Sequence, residues 1–293
     1  MHKKMFWALF GLLVIVGQAC NAPESTSDIP ATSEPQPQGK LFIIGGGKRP
    51  PALIERLAQE AAVDGTEGYV MILPYSSAEP DSSYWYAKQQ FLTLGIPTAC
   101  APLDSTQYGR PSFLDSLRHC PLIYLPGGDQ NRFMQRIAGT GIAEALHAAY
   151  TESSVIAGTS AGAAVMSQAM ITGNEKHYPD YNATFRNLEA DNIELGEGLG
   201  FLTTVIIDQH FVKRSRYNRL FSAVMEHPEL LGIGIDESTA VLVQGQQAEV
   251  VGSSQVILFR GPAEFTTQGD LIGARGITVD VLLPGETFSL KIQ

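Results

Sequence analysis

The sequence predicts an α/β fold: a mostly parallel sheet with helices on both faces, extended by antiparallel strands toward the C-terminus. Three observations lead there. From Leu41 onward, short uninterrupted apolar runs alternate with amphipathic stretches, as parallel strands covered on both faces require. Beyond about Thr239 the texture changes to closely spaced β runs. Glycine-rich or polar residues also recur at the carboxyl ends of the apolar runs, where parallel sheets gather ligand sites.

The elements follow in order. "LFII" is the first strand and runs into Gly45-Gly46-Gly47, after which "ALIERLAQEAA" has helical spacing. "YVMILP" is the next strand, and "YWYAKQQFLTLG" is a helix stopped by Gly95. "TACAPL", "LIYLP", "SVIAG", "TVIID" and "LGIGI" read as further strands, with helices at "NRFMQRI" and "AAVMSQAM". "AVLV", "AEVVG", "QVILF" and "TVDVLL" then read as antiparallel additions at the sheet edge, within the same domain of residues 41–293. No internal repeat is visible.

The first 19 residues fall outside this pattern. Lys3 and Lys4 precede an apolar run from Phe6 to Val16 that is short for a bilayer span and suits a signal peptide. Cys20 sits where a bacterial lipoprotein signal is cleaved and lipidated, although Gly17 stands where such signals usually carry Leu. A plain signal peptide cut nearby is the alternative. The following Pro-, Ser-, Thr- and Glu-rich stretch, residues 20–40, cannot bury apolar area and reads as a disordered tether. The expected location is therefore across the inner membrane, on a lipid anchor in the periplasm or at the cell surface.

Composition narrows the function classes. The 293 residues are 44% hydrophobic with a formal net charge of −10, and apart from Lys213, Arg214, Arg216 and Arg219 no basic cluster occurs. A nucleic-acid partner is thereby disfavoured. The six histidines lack metal-ligand spacing, so no metal and no organic cofactor is expected. Beyond Cys20 only Cys100 and Cys120 remain. They are read as two buried thiols, with a disulfide left open.

Gly158-Thr-Ser160-Ala-Gly162 lies between an apolar strand and a helix, the setting of a nucleophile elbow, but such a turn also serves strand–helix packing. His210 follows the strand "TVIID" and is the candidate base. "LGIGIDES" offers Asp236 or Glu237 as the acid that orients an imidazole. Ala161 and either Gly127 or Gly128 are candidate oxyanion donors. Arg216 and Arg219, three residues apart, would share a helix face suited to gripping a carboxylate.

"PGGDQ", "VIAGTSAGAAVMS", "GLGFL" with "VIIDQHF" and its downstream arginines, and "LGIGIDESTA" together resemble the serine peptidases of the cyanophycinase and dipeptidase E family, closest to the cyanophycinase branch. The resemblance implies a fold like the class I glutamine amidotransferases. It implies Ser160 as nucleophile, His210 as base and Glu237 rather than Asp236 as orienting acid. It also implies Gly128 and Ala161 as oxyanion donors, and substrate contacts from Asp129, Gln130, Asp208, Arg216 and Arg219. The expected activity is exopeptidase cleavage of aspartyl bonds, β-Asp-Arg linkages of the storage polymer cyanophycin above all. The first loop, "GGGKRP", departs from the family by being basic.

Two other classes stay in view. One is an esterase of the α/β-hydrolase type, whose triad order would place the histidine last and so call on His227. The other is a peptide-binding lipoprotein without catalysis. The expected partners are a small peptide or a cyanophycin-like substrate, with a homodimer left open.

Overall fold

Each apolar run must bury two faces at once, and the strands show how. In the computed structural model, which describes residues 37–65, 68–180 and 184–291, alternate side chains of the first strand enter different cores. Leu41 and Ile43 join one cluster, Phe42 and Ile44 the other. The signal peptide, Cys20 and most of the tether lie outside the described residues.

The first half of the chain runs β1 (Lys40–Ile44), α1 (Pro51–Glu60), β2 (Val70–Ile72), α2 (Pro80–Leu92), β3 (Thr98–Cys100), α3 (Pro111–Arg118) and β4 (Leu122–Leu125). Then come α4 (Gln130–Ile137), α5 (Ile142–Glu152), β5 (Val155–Thr159), α6 (Ala161–Ala164), β6 (Ala169–Glu175), β7 (Ile193–Glu197) and β8 (Val205–Gln209). The remainder is α7 (Tyr217–Glu226), β9 (Leu231–Ile235), β10 (Thr239–Gln244), β11 (Gln247–Gly252) and β12 (Val256–Arg260), followed by β13 (Glu264–Gln268), β14 (Leu271–Arg275), β15 (Thr278–Leu282) and β16 (Thr287–Ser289).

The large sheet has the order β16-β11-β10-β1-β5-β4-β2-β3. Its β1-β5-β4-β2-β3 half is parallel, and β10, β11 and β16 extend it antiparallel. Residues of α1 and α2 cover one face, and residues of α3, α4 and α5 cover the other. Gln38 and Gly39 already donate backbone hydrogen bonds to Thr151 and Tyr150, so the end of the stretch read as tether lies within the fold.

The sequence reading puts "TVIID" and "LGIGI" in the same sheet as the other parallel strands. The structure moves them out. β8 and β9 pair with each other and with β12 and β15 in a separate four-stranded sheet, ordered β15-β12-β9-β8. The reason is that β10 pairs antiparallel with β1 along Leu41–Ile44 and takes the position they would need. The late β runs therefore divide: β10 and β11 extend the large sheet, whereas β12 and β15 build the second.

Two shorter expectations also change. The helix read from "AAVMSQAM" is a single turn, Ala161–Ala164, because Ala169 already begins β6. Both cysteines are free thiols; Cys120 is buried, but Cys100, on the edge strand β3, is only partly so.

The elbow glycines are demanded by packing. A Cβ on Gly162 would stand 2.0 Å from the carbonyl oxygen of Leu125 in β4, and one on Gly158 would stand 2.2 Å from that of Gly162. Backbone atoms cannot turn aside as a side chain can. Gly162→Ala is expected to lower stability by about 1–3 kcal/mol through overpacking, measured as a fall in the urea midpoint at constant m-value.

Candidate active site

Three chain segments meet at the carboxyl end of β1. The N–H of Ser160, directly after β5, donates to Ile44 O at 3.1 Å. The N–H of His210, directly after β8, donates to Gly45 O at 2.7 Å, and that of Ser238 donates to Gly46 O at 3.0 Å. Ser160 (φ 54°) and His210 (φ 51°) both sit in the left-handed region that side chains rarely adopt. Such backbone costs on the order of 1–3 kcal/mol and persists only where neighbours enforce it.

The side chains form one line. His210 Nε2 is 2.9 Å from Ser160 Oγ, and His210 Nδ1 is 2.6 Å from Glu237 Oε1. An ionised carboxylate can only accept, so Nδ1 carries the ring proton and Nε2 is left to accept from the serine hydroxyl. Burial lowers the His210 pKa below its usual value, and the positive charges of Arg214 and Arg216 push the same way, against the hydrogen bond that the ring donates to Glu237. The ring is thus neutral at neutral pH, the state in which Nε2 can take a proton.

Asp236, the other acidic candidate, points elsewhere. Its carboxylate accepts from the Lys213 N–H at 2.9 Å and from Ser254 Oγ at 2.8 Å. His227, the histidine an α/β-hydrolase order would need, lies instead 3.5 Å from Glu229. Ser160 is paired with His210, ahead of the acid in sequence.

The glycine run "GGG" has a steric role that sequence reading did not assign. A Cβ on Gly46 would fall 2.4 Å from the His210 ring, and one on Gly47 would fall 2.5 Å from the Glu237 carboxylate. Across the serine, a Cβ on Gly127 would come within 3.2 Å of Ser160 Cβ. Among the described residues no acceptor engages the N–H of Gly128 or of Ala161, which leaves both available beside Ser160. The one-turn α6 adds little dipole to them.

A cavity of about 250 Å³ opens beside Ser160, bordered by Gly128, Asp129, Gln130, Thr172, Gly173, Asn174, Gln209, Arg214, Arg216 and Arg219. The residues expected to face a substrate do so unequally. Asp208 is fully buried and grips Arg219, which donates from Nε at 2.8 Å and from Nη2 to the other carboxylate oxygen. It does not border the cavity; this corrects its placement as a substrate contact. Arg216 donates from Nη1 to Gln209 O at 2.9 Å and to Gln209 Oε1 at 2.7 Å. Asp129 Oδ1 caps α4 through the N–H groups of Asn131 and Arg132, and Gln130 Nε2 donates to the carbonyls of Ile171 and Thr172.

Arg214 was passed over in the sequence as one of a run of basic residues. It is exposed, borders the cavity and faces no acidic partner among the described residues. Thr172, Gly173 and Asn174 come from β6, a strand that the sequence reading does not contain.

With this geometry in place, comparison with known proteins is informative. The model of peptidase family S51 matches residues 41–251. The chain belongs to peptidase family S51. It is a serine-type peptidase. It is 32% identical over 267 residues to a cyanophycinase of Geminocystis herdmanii, covering 87% of this chain and 94% of that one. It is 30% identical over 263 residues to a cyanophycinase of Synechococcus elongatus, covering 87% and 76%. A solved peptidase from an acI-B1 Actinobacterium superposes with a TM-score of 0.63 at 22% identity, over 87% of this chain and 98% of that chain, and so shares the fold.

The electrostatics give a direct test. Arg214→Gln removes a charge that disfavours the imidazolium, so the His210 pKa should rise. NMR titration of the His210 ring measures this; an unmoved titration would mean solvent screens Arg214 from the ring.

Proposed function

We propose that this serine exopeptidase hydrolyses aspartyl, principally β-aspartyl, peptide bonds of the β-Asp-Arg kind, with Ser160, His210 and Glu237 as its catalytic triad. The observation that carries the reading is the unbroken line from Glu237 Oε1 through both ring nitrogens of His210 to Ser160 Oγ.

In the proposed mechanism Ser160 Oγ attacks the scissile carbonyl while His210 Nε2 takes its proton, and Glu237 holds the imidazolium that forms. The N–H groups of Gly128 and Ala161 receive the developing oxyanion, which costs no reorganisation if they are aimed beforehand. The C–N bond then breaks, Nε2 returns the proton to the leaving amine, and water cleaves the acyl-enzyme by the same route.

Support for the acyl group comes from charge. In a β-Asp-Arg dipeptide the aspartyl residue, linked through its β-carboxyl, keeps a free α-carboxylate and an α-ammonium beside the scissile bond. Arg214 can meet the first and the outer oxygen of Asp129 the second, while the buried Asp208–Arg219 pair keeps the cavity floor rigid. Cyanophycinases among the relatives favour the same class.

The test is a hydrolysis panel of insoluble cyanophycin, β-Asp-Arg, β-Asp-Lys, α-Asp dipeptides and a short acyl ester. Ser160→Ala should lose about 10⁴-fold or more in kcat on β-aspartyl substrates while unfolding at the wild-type urea midpoint. Undiminished turnover in that variant would overturn the mechanism, and activity confined to the ester would overturn the substrate class. Stoichiometric binding without turnover by the wild type would make the protein a binder.

We also propose that the mature protein is lipid-anchored through Cys20. Cys20→Ala should abolish incorporation of radiolabelled palmitate and release the protein from the membrane fraction; equal labelling of both forms would refute the anchor.

A further inference from the structure

Ser160 borders two cavities. One is the arginine-lined cleft; the other, about 280 Å³, is bordered by Gly46, Arg49, Tyr86, Gln90, Tyr124 and Thr159 together with Ser160 and His210. We infer that this second cavity is the leaving-group subsite, and that Arg49 binds the free α-carboxylate of the amino acid released. The inference rests on the proposed aspartyl-peptidase function.

Proton delivery decides which side is which. When the C–N bond of the tetrahedral intermediate breaks, its electron pair stays on nitrogen, which must take the proton held on His210 Nε2. His210 borders the second cavity and not the first. The amine therefore leaves into the second cavity, and the acyl residue remains among the arginines of the first.

Arg49 is built for a fixed anion. Its Nη1 donates to Gly47 O at 2.8 Å and its Nε to Gln90 Oε1, so the guanidinium plane is held in place. Among the described residues no Asp or Glu pairs with it, and no acidic residue borders the cavity. A half-buried guanidinium held by two neutral acceptors, with a further nitrogen left over, matches a carboxylate.

The walls carry further polar capacity. The hydroxyls of Tyr124 and Thr159 are buried and lack a hydrogen-bond partner of proper geometry, although they lie near one another and near Gln90. On α2, Ser83, Tyr86, Ala87 and Gln90 recur at helical spacing along one wall. The basic "GGGKRP" loop thereby acquires a use: its glycines let the chain pass His210 and Glu237, and its arginine reads the leaving residue.

Such a subsite confines the enzyme to releasing single residues with an unblocked carboxyl group. The test compares kcat/KM for β-Asp-Arg with its C-terminal amide, in the full chain and in Arg49→Gln and Arg49→Lys. The wild type should prefer the free acid by about 10–100-fold, the factor one charge-assisted contact supplies. Arg49→Gln should bring the ratio near one through a raised KM for the acid, and Arg49→Lys should keep part of it. A wild-type ratio near one, or a ratio preserved in Arg49→Gln, would overturn the inference.

A separate measurement distinguishes this from failure of the underlying reading. If the wild type cleaves no aspartyl substrate, including β-aspartyl p-nitroanilide, which has no leaving carboxylate, the proposed function fails. The subsite is then judged by calorimetry with free arginine and argininamide. Arginine bound by the wild type and about tenfold or more weaker in Arg49→Gln, with argininamide weak in both, supports it; equal affinities overturn it.

Discussion

The whole site hangs on four consecutive residues, Ile44–Gly47. Their carbonyls accept from the backbone N–H groups of Ser160, His210 and Ser238, and the N–H of Gly45 donates to Thr239 O. Hydrogen bonds of this kind contribute only about 1 kcal/mol each. Here they matter for position, because together they tie three chain segments to one strand end. Side chains on Gly46 or Gly47 would occupy the space of the His210 ring and the Glu237 carboxylate. The absence of two Cβ atoms is what lets the His210 ring and the Glu237 carboxylate lie against the end of β1.

That junction also joins two sheets. Ser160 leaves the large sheet, His210 and Glu237 leave the smaller one, and the two strand sets end at a common point. The strained backbone at Ser160 and His210 belongs to the same arrangement. Strain of this size survives because the flanking strands are buried on both faces and cannot relax independently.

Charge is distributed on the same principle. Asp208 and Arg219 neutralise each other within the protein, where an unpaired charge would be costly. Among the described residues Arg214 at one cavity and Arg49 at the other form no ion pair with an acid, so each cavity that borders Ser160 carries positive charge.

Periodicity and local chemistry were enough to read the α/β class, most of the strands, the elbow serine, the histidine and the acidic pair, because these depend on neighbours within a few residues. Which acid faces the histidine was not legible in "IDES" alone. Asp236 and Glu237 differ by one position at a turn, and only the packing of Lys213, Ser254 and His210 around them separates their directions. The assignment of "TVIID" and "LGIGI" to a second sheet was equally hidden, since an apolar run does not record its partner and β10 claimed the edge beside β1. Arg214 is legible in the sequence only as one of a basic cluster and Arg49 only as part of a basic loop, and Asp208 reads there as a substrate contact. By itself, then, the sequence determined which elements form and which reactive groups end them. Tertiary structure alone decided which of those groups meet, because hydrogen bonds and burial between distant segments assign each charge either to a partner inside the protein or to an open cavity.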